Sequence, residues 1–345
     1  MRQVILGKTG LKVSAVGFGG IPIQRVSAEQ AVATLRRALD LGVTFIDTAA
    51  GYTDSQEKIG LAIRGRRDGL VLASKSGQRT AEGILADIDH SRKEMGADVI
   101  DLYQLHGVSS RDGWNEVSAP GGAMEGLLAA RDKGWIAHVG FTSHSLDLAR
   151  EIVEQPVFET VQFPFNLVTR EPAERLVPRA AELKLGFIVM KPLCGGQYGD
   201  ANLAFKFLNG FPDLVPIPGM ERPEEVDEVV AVVASGRTLQ GEELARAEKI
   251  AAELGKLFCR RCGYCMPCPE GVPITTAMVF ESFLKRLPLD KLVAGPAKEL
   301  IQRADECTEC GECEKKCPFE LPIIRTIKNS LAQARRIAGA GSSLT

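Results

Sequence analysis

Residues 44–60 read TFIDTAAGYTDSQEKIG. The run Thr44–Asp47 is short and largely apolar, and so reads as a buried strand. Asp54, with Glu57 three residues on, reads as a helix start, because a carboxylate can accept from the first free amides and an acid follows at the capping-box position. Strand, loop and helix start thus follow one another, and the same unit recurs in both directions along the chain. The other strand candidates are Ala15–Phe18, Leu70–Ser74, Val99–Leu105, His138–Thr142, Thr160–Phe163, Gly186–Met190 and Val215–Ile217. A helical pattern follows each, one of them opening at Ser27 with Gln30 at the capping-box position. Eight alternations whose strands are apolar on both faces predict a (β/α)8 TIM barrel. An open doubly wound sheet is the alternative, and the lack of a GxGxxG turn after the first strand argues against it. Ahead of the barrel, residues 2–13, RQVILGKTGLKV, read as two short strands around a Lys8-Thr9-Gly10 turn.

The chain has 345 residues, enough for this barrel over 1–240 and a smaller domain over 241–345. Apolar content of 45% and charged content of 25% suit a soluble globular protein. Lys and Arg number 42 against 44 Asp and Glu, a balance that points to no nucleic-acid partner. No apolar run approaches the ~20 residues that span a bilayer. MRQVILGKTG lacks an apolar signal region, so the reading is a cytoplasmic protein with no membrane partner. In the smaller domain, amphipathic helices are expected over Glu242–Leu257 and Leu321–Ala338, with a frayed end at GAGSSLT, 339–345.

Eight of the nine cysteines lie in two runs. CRRCGYCMPCP holds Cys259, Cys262, Cys265 and Cys268 before Pro269; CTECGECEKKCP holds Cys307, Cys310, Cys313 and Cys317 before Pro318. Three thiolates at successive two-residue gaps can wrap three corners of an iron–sulfur cube, and a Cys-Pro leaves for the other cluster. The eight therefore fit two [4Fe–4S] clusters: Cys259, Cys262 and Cys265 with Cys317, and Cys307, Cys310 and Cys313 with Cys268. The first run departs from the pattern in its last gap, which is two residues rather than three. Zinc more often takes two separated pairs of thiolates, and disulfides need an oxidising compartment. The runs resemble those of dicluster ferredoxins. Residues 269–306 between them carry a helical pattern (Met278, Val279, Phe283, Leu284, Leu287), which is similar to the helical ferredoxin domains of redox enzymes.

In a barrel, chemistry sits at the C-terminal ends of the strands. Asp47 ends FID, Tyr52 follows in the next loop, Lys75 ends LASK and His106 ends DLYQLH. Singly these read as a loop cap, a rim aromatic, a surface charge and a core histidine. Jointly they put an acid, a cation to tune it, a carboxylate to hold the cation and an imidazole on one face. At these residues, and over about 1–233, the chain resembles the aldo-keto reductases. That resemblance implies that Tyr52 donates a proton to a carbonyl oxygen, that Lys75 paired with Asp47 eases its release, and that His106 orients the carbonyl.

The resemblance also implies a nicotinamide pocket. Thr142 and Ser143 of GFTSHS stand where the family has its Ser-Asn pair, and Gln162 keeps the amide partner of the carboxamide. Met190 takes the place of the aromatic that stacks on nicotinamide, followed by Lys191, Pro192 and Leu193. IPGMERPEEVDE, with Gly219, Arg222, Glu225 and Glu228, matches the loop and helix start that bind the adenosine phosphate. Arg222 could pair a 2′-phosphate, favouring NADP(H) over NAD(H). There is no defensible flavin motif, although a flavin stays open because hydride and one-electron chemistry do not mesh directly. Cys194, the ninth cysteine, reads as a small buried thiol. The leading function is an NADP(H)-linked oxidoreductase acting on a small carbonyl or alcohol, with the clusters as an electron route and a ferredoxin-like redox partner possible. The alternatives are an electron carrier that uses the barrel as scaffold, and a reductase whose clusters are structural.

Overall fold

The computed structural model describes residues 1–341, in two compact units, Met1–Glu248 and the residues from Lys249 on. In the first unit eight parallel strands run in chain order: β3 (Phe18–Gly19), β4 (Phe45–Asp47), β5 (Val71–Ser76), β6 (Ile100–Leu105), β7 (Ile136–Thr142), β8 (Thr160–Pro164), β9 (Gly186–Met190) and β10 (Val215–Pro216). Every residue of β4, β5 and β8 is buried, as expected of strands covered by helices outside and by each other inside. The edges meet where Gly17 N donates to Pro216 O and Gly19 N to Pro218 O, both at 2.8 Å. The expected (β/α)8 barrel is therefore the fold. A helix or helix pair follows each strand, from Ala28–Asp40 after β3 to Pro223–Ser235 after β10. A hairpin of β1 (Gln3–Ile5) and β2 (Lys12–Ser14) precedes the barrel, and Gly7 bridges Leu185 just ahead of β9.

Two helix starts differ from the sequence reading. Ser27 Oγ accepts from Gln30 N at 3.2 Å, but the Gln30 amide donates to Glu221 O at 3.0 Å instead of turning back to the cap. It thereby ties the first helix to the loop before the last. Asp54 precedes the helix Ser55–Ile63 without capping it, because its carboxylate is drawn to the buried Lys58 ammonium at 2.8 Å. Lys58 also donates to Ile23 O and Val26 O, both at 2.8 Å. A buried charge outbids a free amide for a carboxylate. The first strand is also shorter and later than Ala15–Phe18: Ala15 N still donates to Arg2 O of the hairpin at 2.9 Å, and pairing with β4 begins only at Phe18, opposite Ile46.

The second unit builds a core of Ile274, Phe280, Leu300, Ile323 and Ile327, against which six of the eight clustered cysteines pack. The continuous helical pattern read over Met278–Leu287 is broken. Helices Ile274–Met278 and Phe280–Leu284 meet at Val279, whose φ of −118° and ψ of 11° are not helical. The expected helices are Gly241–Gly255, which begins in the first unit and ends in the second, and Ile323–Gly341. The helix takes in the first three residues of GAGSSLT, and 342–345 lie outside the described residues. No helix among the described residues is long and apolar enough to cross a membrane.

A Cβ on Gly19 would sit 2.7 Å from Ile217 O and 3.0 Å from Pro218 O, backbone atoms that cannot swing aside. Gly19→Ala should therefore loosen the barrel's closing edge, at a cost of about 1–3 kcal/mol. A Cβ on Gly199 meets nothing within 4 Å. Urea midpoints should accordingly fall for Gly19→Ala and stay nearly unchanged for Gly199→Ala.

Candidate active site and thiol-lined cavities

Asp47 is the last residue of β4, Lys75 lies one residue from the end of β5, and His106 directly follows β6. Parallel pairing levels these ends on one face of the barrel, with Asp47 opposite Ala73 and Lys75 opposite Gln104. Lys75 is 2% exposed. Its ammonium donates to Asp47 Oδ1 at 2.5 Å and to Thr48 O at 2.7 Å, and Gln104 Nε2 donates to Asp47 Oδ2 at 3.2 Å. Burial pulls the lysine pKa down, but charge attraction from Asp47 and Tyr52 and hydrogen bonds to both outweigh it, so the value stands above normal. The group stays an ammonium. Tyr52 sits in the loop bound by Ala50 N to Lys75 O at 2.9 Å. Its ring centroid is 5.1 Å from Lys75 Nζ and 5.8 Å from the His106 ring, which meets it edge-on at 81°. The four residues thus come together.

The residues read as a nicotinamide pocket are placed unequally. Thr142 ends β7, and its Oγ1 accepts from Gly107 N at 2.8 Å, which anchors the loop after His106. Ser143 N donates to Gln162 O at 3.1 Å, while its hydroxyl donates to Ser145 O at 3.3 Å. Gln162, on β8, keeps a buried Nε2 with no hydrogen-bond partner. An orphaned amide donor is a group that a carboxamide oxygen would satisfy. Met190 ends β9, and the chain then turns sharply, with positive φ at Lys191 (57°), Cys194 (50°), Gly195 (66°) and Gly196 (85°). Pro192 and Leu193 lie inside that turn, where Leu193 O accepts from Gly196 N at 2.9 Å. Cys194 is buried, its thiol 3.4 Å from Asn166 Oδ1. Gly219 bridges Gly19 where the barrel closes. Arg222 directly precedes the helix Pro223–Ser235 and is exposed, paired with Glu225 at 2.9 Å; Glu228 is exposed on the same helix.

In the second unit the eight thiols divide between two cavities. Cys259, Cys262, Cys265 and Cys317 line one; Cys268, Cys307, Cys310 and Cys313 line the other, which Cys265 also reaches. The partition crosses the two runs, as the Cys-Pro spacing suggests. Among the described residues, no three Cys, His, Asp or Glu side chains are grouped to hold one metal ion. Burial first, and then the neighbouring Cys259 and Cys262 sulfurs, push the Cys265 thiol up to about 12; burial also raises Cys262 and Cys313. Four soft donors around a cavity fit an iron–sulfur cube.

A model of the aldo/keto reductase family matches residues 15–204. The chain belongs to the aldo/keto reductase family. Residues 258–322 match a 4Fe-4S dicluster domain, taking in all eight clustered cysteines. The aldo-keto reductase YhdN of Bacillus subtilis is 29% identical over 216 residues, 57% of this chain and 63% of that protein. The L-galactose dehydrogenase of Arabidopsis thaliana is 31% identical over 165 residues, 44% of this chain and 51% of that protein. The chain thus spans between half and two thirds of the length of these two relatives. An aldo-keto reductase from Klebsiella pneumoniae, solved in complex with NADPH, is 24% identical with a TM-score of 0.62 over 72% of this chain and 95% of that one. The holo form of AKR11C1 from Bacillus halodurans is 22% identical with a TM-score of 0.63, covering 73% and 96%. These two likenesses carry the barrel fold.

Two residues of this family member escaped the sequence reading. Gln104 is fully buried against Asp47 and was visible only as a lone amide in the apolar run DLYQLH. Arg79 donates to His106 O at 3.2 Å and Gly107 O at 3.4 Å, and nothing in its sequence context marks it. The buried ion pair leads to a stability test. Lys75→Met leaves a carboxylate stranded and Asp47→Asn an ammonium, each costing about 3–5 kcal/mol. The double variant should lose clearly less than the sum of the two in urea titrations; additive losses would show the groups to be uncoupled.

Proposed function

We propose that the protein is an oxidoreductase that interconverts a small carbonyl and its alcohol with NADP(H), and that two [4Fe–4S] clusters on its second unit add a one-electron route. The observation that carries the first part is the Tyr52 phenol packed between a buried, Asp47-bound ammonium and the His106 ring. Lys75 stabilises negative charge on the phenol oxygen, so Tyr52 can give its proton to a carbonyl oxygen and take one back from an alcohol. His106 meets Tyr52 edge-on and orients that oxygen; Asp47, gripped on its other side by Gln104, keeps the ammonium in place. Bound NADP(H) would supply or accept the hydride at the carbonyl carbon. The partnerless Gln162 amide, beside Thr142, Ser143 and Met190 at the strand ends, supports a carboxamide there, and the NADPH complex of the Klebsiella relative supports the phosphorylated cofactor. The Lys191–Leu193 turn and the Gly219–Glu228 segment are the proposed seats of its phosphates, Arg222 leaving Glu225 for the 2′-phosphate. The thiol partition supports the cluster reading, with a one-electron carrier as external partner.

Tyr52→Phe should lower carbonyl-dependent NADPH oxidation by about 10²–10⁴-fold, with little change in NADPH affinity. Adding Lys75→Met should lower it little further, because both act on one proton. Unchanged turnover in the Tyr52→Phe protein rejects the assignment. Anaerobically prepared protein should carry about eight irons with matching sulfide. Cys268→Ser should disturb the cluster of Cys307, Cys310 and Cys313 and spare the other. Stoichiometric zinc without sulfide would reject the clusters.

A further inference from the structure

The two cysteine loops repeat one backbone with the charge reversed. In each, the second and fourth residues after the first cysteine are left-handed: Arg261 (φ 61°) and Gly263 (82°), Glu309 (57°) and Gly311 (76°). Such a turn aims amides at sulfur, and Arg261 N donates to Cys259 Sγ at 3.4 Å. The side chains on this shared frame differ in sign. The charged residues lining the first cavity are Arg260 and Arg261; those lining the second are Glu270, Glu309, Glu312 and Lys316. Lys328 lies 2.6 Å from Glu309 and Lys315 2.7 Å from Glu312, which reduces the acidity of the second wall.

A cluster held by four thiolates is anionic, and reduction makes it more so. Cations on the cavity wall therefore favour the reduced state, and anions oppose it. We propose that the two sites have unequal reduction potentials set by this reversal: the cluster of Cys259, Cys262, Cys265 and Cys317 accepts its electron at the higher potential, and that of Cys268, Cys307, Cys310 and Cys313 at the lower. This rests on the two-cluster reading above. At each site one electron from a one-electron reductant takes [4Fe–4S] from 2+ to 1+, the reductant loses that electron, and no proton moves. Cys310 is exposed, whereas the four thiols of the first site are half-buried. The lower-potential site is thus the one open to solvent, and an electron delivered there runs downhill to the arginine-lined site. Water at Cys310 favours the reduced state and so narrows the gap; the wall charges set its sign.

Because Arg261 and Glu309 share a backbone conformation, each loop already shows that the other's residue fits there. The experiment is a dithionite titration of the anaerobic full-length protein followed by electron paramagnetic resonance, with iron and sulfide counted on the same sample. The wild type should reduce in two separate one-electron steps. Arg261→Glu should shift only the higher step downward, and Glu309→Arg only the lower step upward. A single shared potential, or an Arg261→Glu protein in which the lower step moves, overturns the proposal while about eight irons keep the two-cluster reading. About four irons or fewer overturns both.

Discussion

An ammonium removed from water must be surrounded by oxygen, and in this barrel that requirement falls on Lys75. Asp47 Oδ1 and Thr48 O meet it from the neighbouring strand and the residue after it. The consequences spread from there. The loop of Tyr52 is drawn over the ammonium, His106 closes against the phenol ring, and Gln104 holds the carboxylate from the far side. Attraction beats burial in the lysine's own titration, so the charge persists where an isolated buried lysine would shed it. A carboxylate, an ammonium and a phenol thus form one electrostatic unit whose outer member faces the open end of the strands.

The barrel supplies the rigidity for that unit at its narrowest joint. β3 and β10 are two-residue strands, and they are joined by the amides of Gly17 and Gly19; a side chain on Gly19 would collide with the opposing backbone. Outside the joint, Gln30 reaches Glu221 O and Arg37 pairs with Asp227 at 2.7 Å, so the first and last helices are stitched across the same seam. Movement at the seam would shift β3 against β4, whose last residue is Asp47.

The second unit solves a different problem. Its apolar core is modest, and Cys259, Cys265, Cys268, Cys307, Cys313 and Cys317 pack against it. Ligands that are also core residues couple assembly of a cluster to folding, since the thiols' positions and the core's packing depend on each other. Positive φ at Arg261 and Glu309 is accepted by residues that ordinarily avoid it, in loops wound around sulfur.

The eight alternations of apolar runs and helix starts were enough to read the barrel, because burial on both faces and 3.6-residue periodicity are local properties of the chain. Asp47, Lys75 and His106 were legible for a similar reason, each being a polar residue at or beside the end of an otherwise apolar strand, and Tyr52 was read with them from the loop that follows Asp47. The cysteine spacing likewise carried the crossed partition into the two cavities. What the chain could not reveal by itself was every choice made between distant partners. Gln30 turns to Glu221, and Gln104 and Arg79 to Asp47 and His106, since an amide or cation takes whichever oxygen the fold brings within 3 Å or so. The break at Val279 and the opposite charges of the two cavity walls belong to the same class. Local pattern determined which elements form; only the packed structure decided which polar groups meet, because that depends on distances in space and not along the sequence.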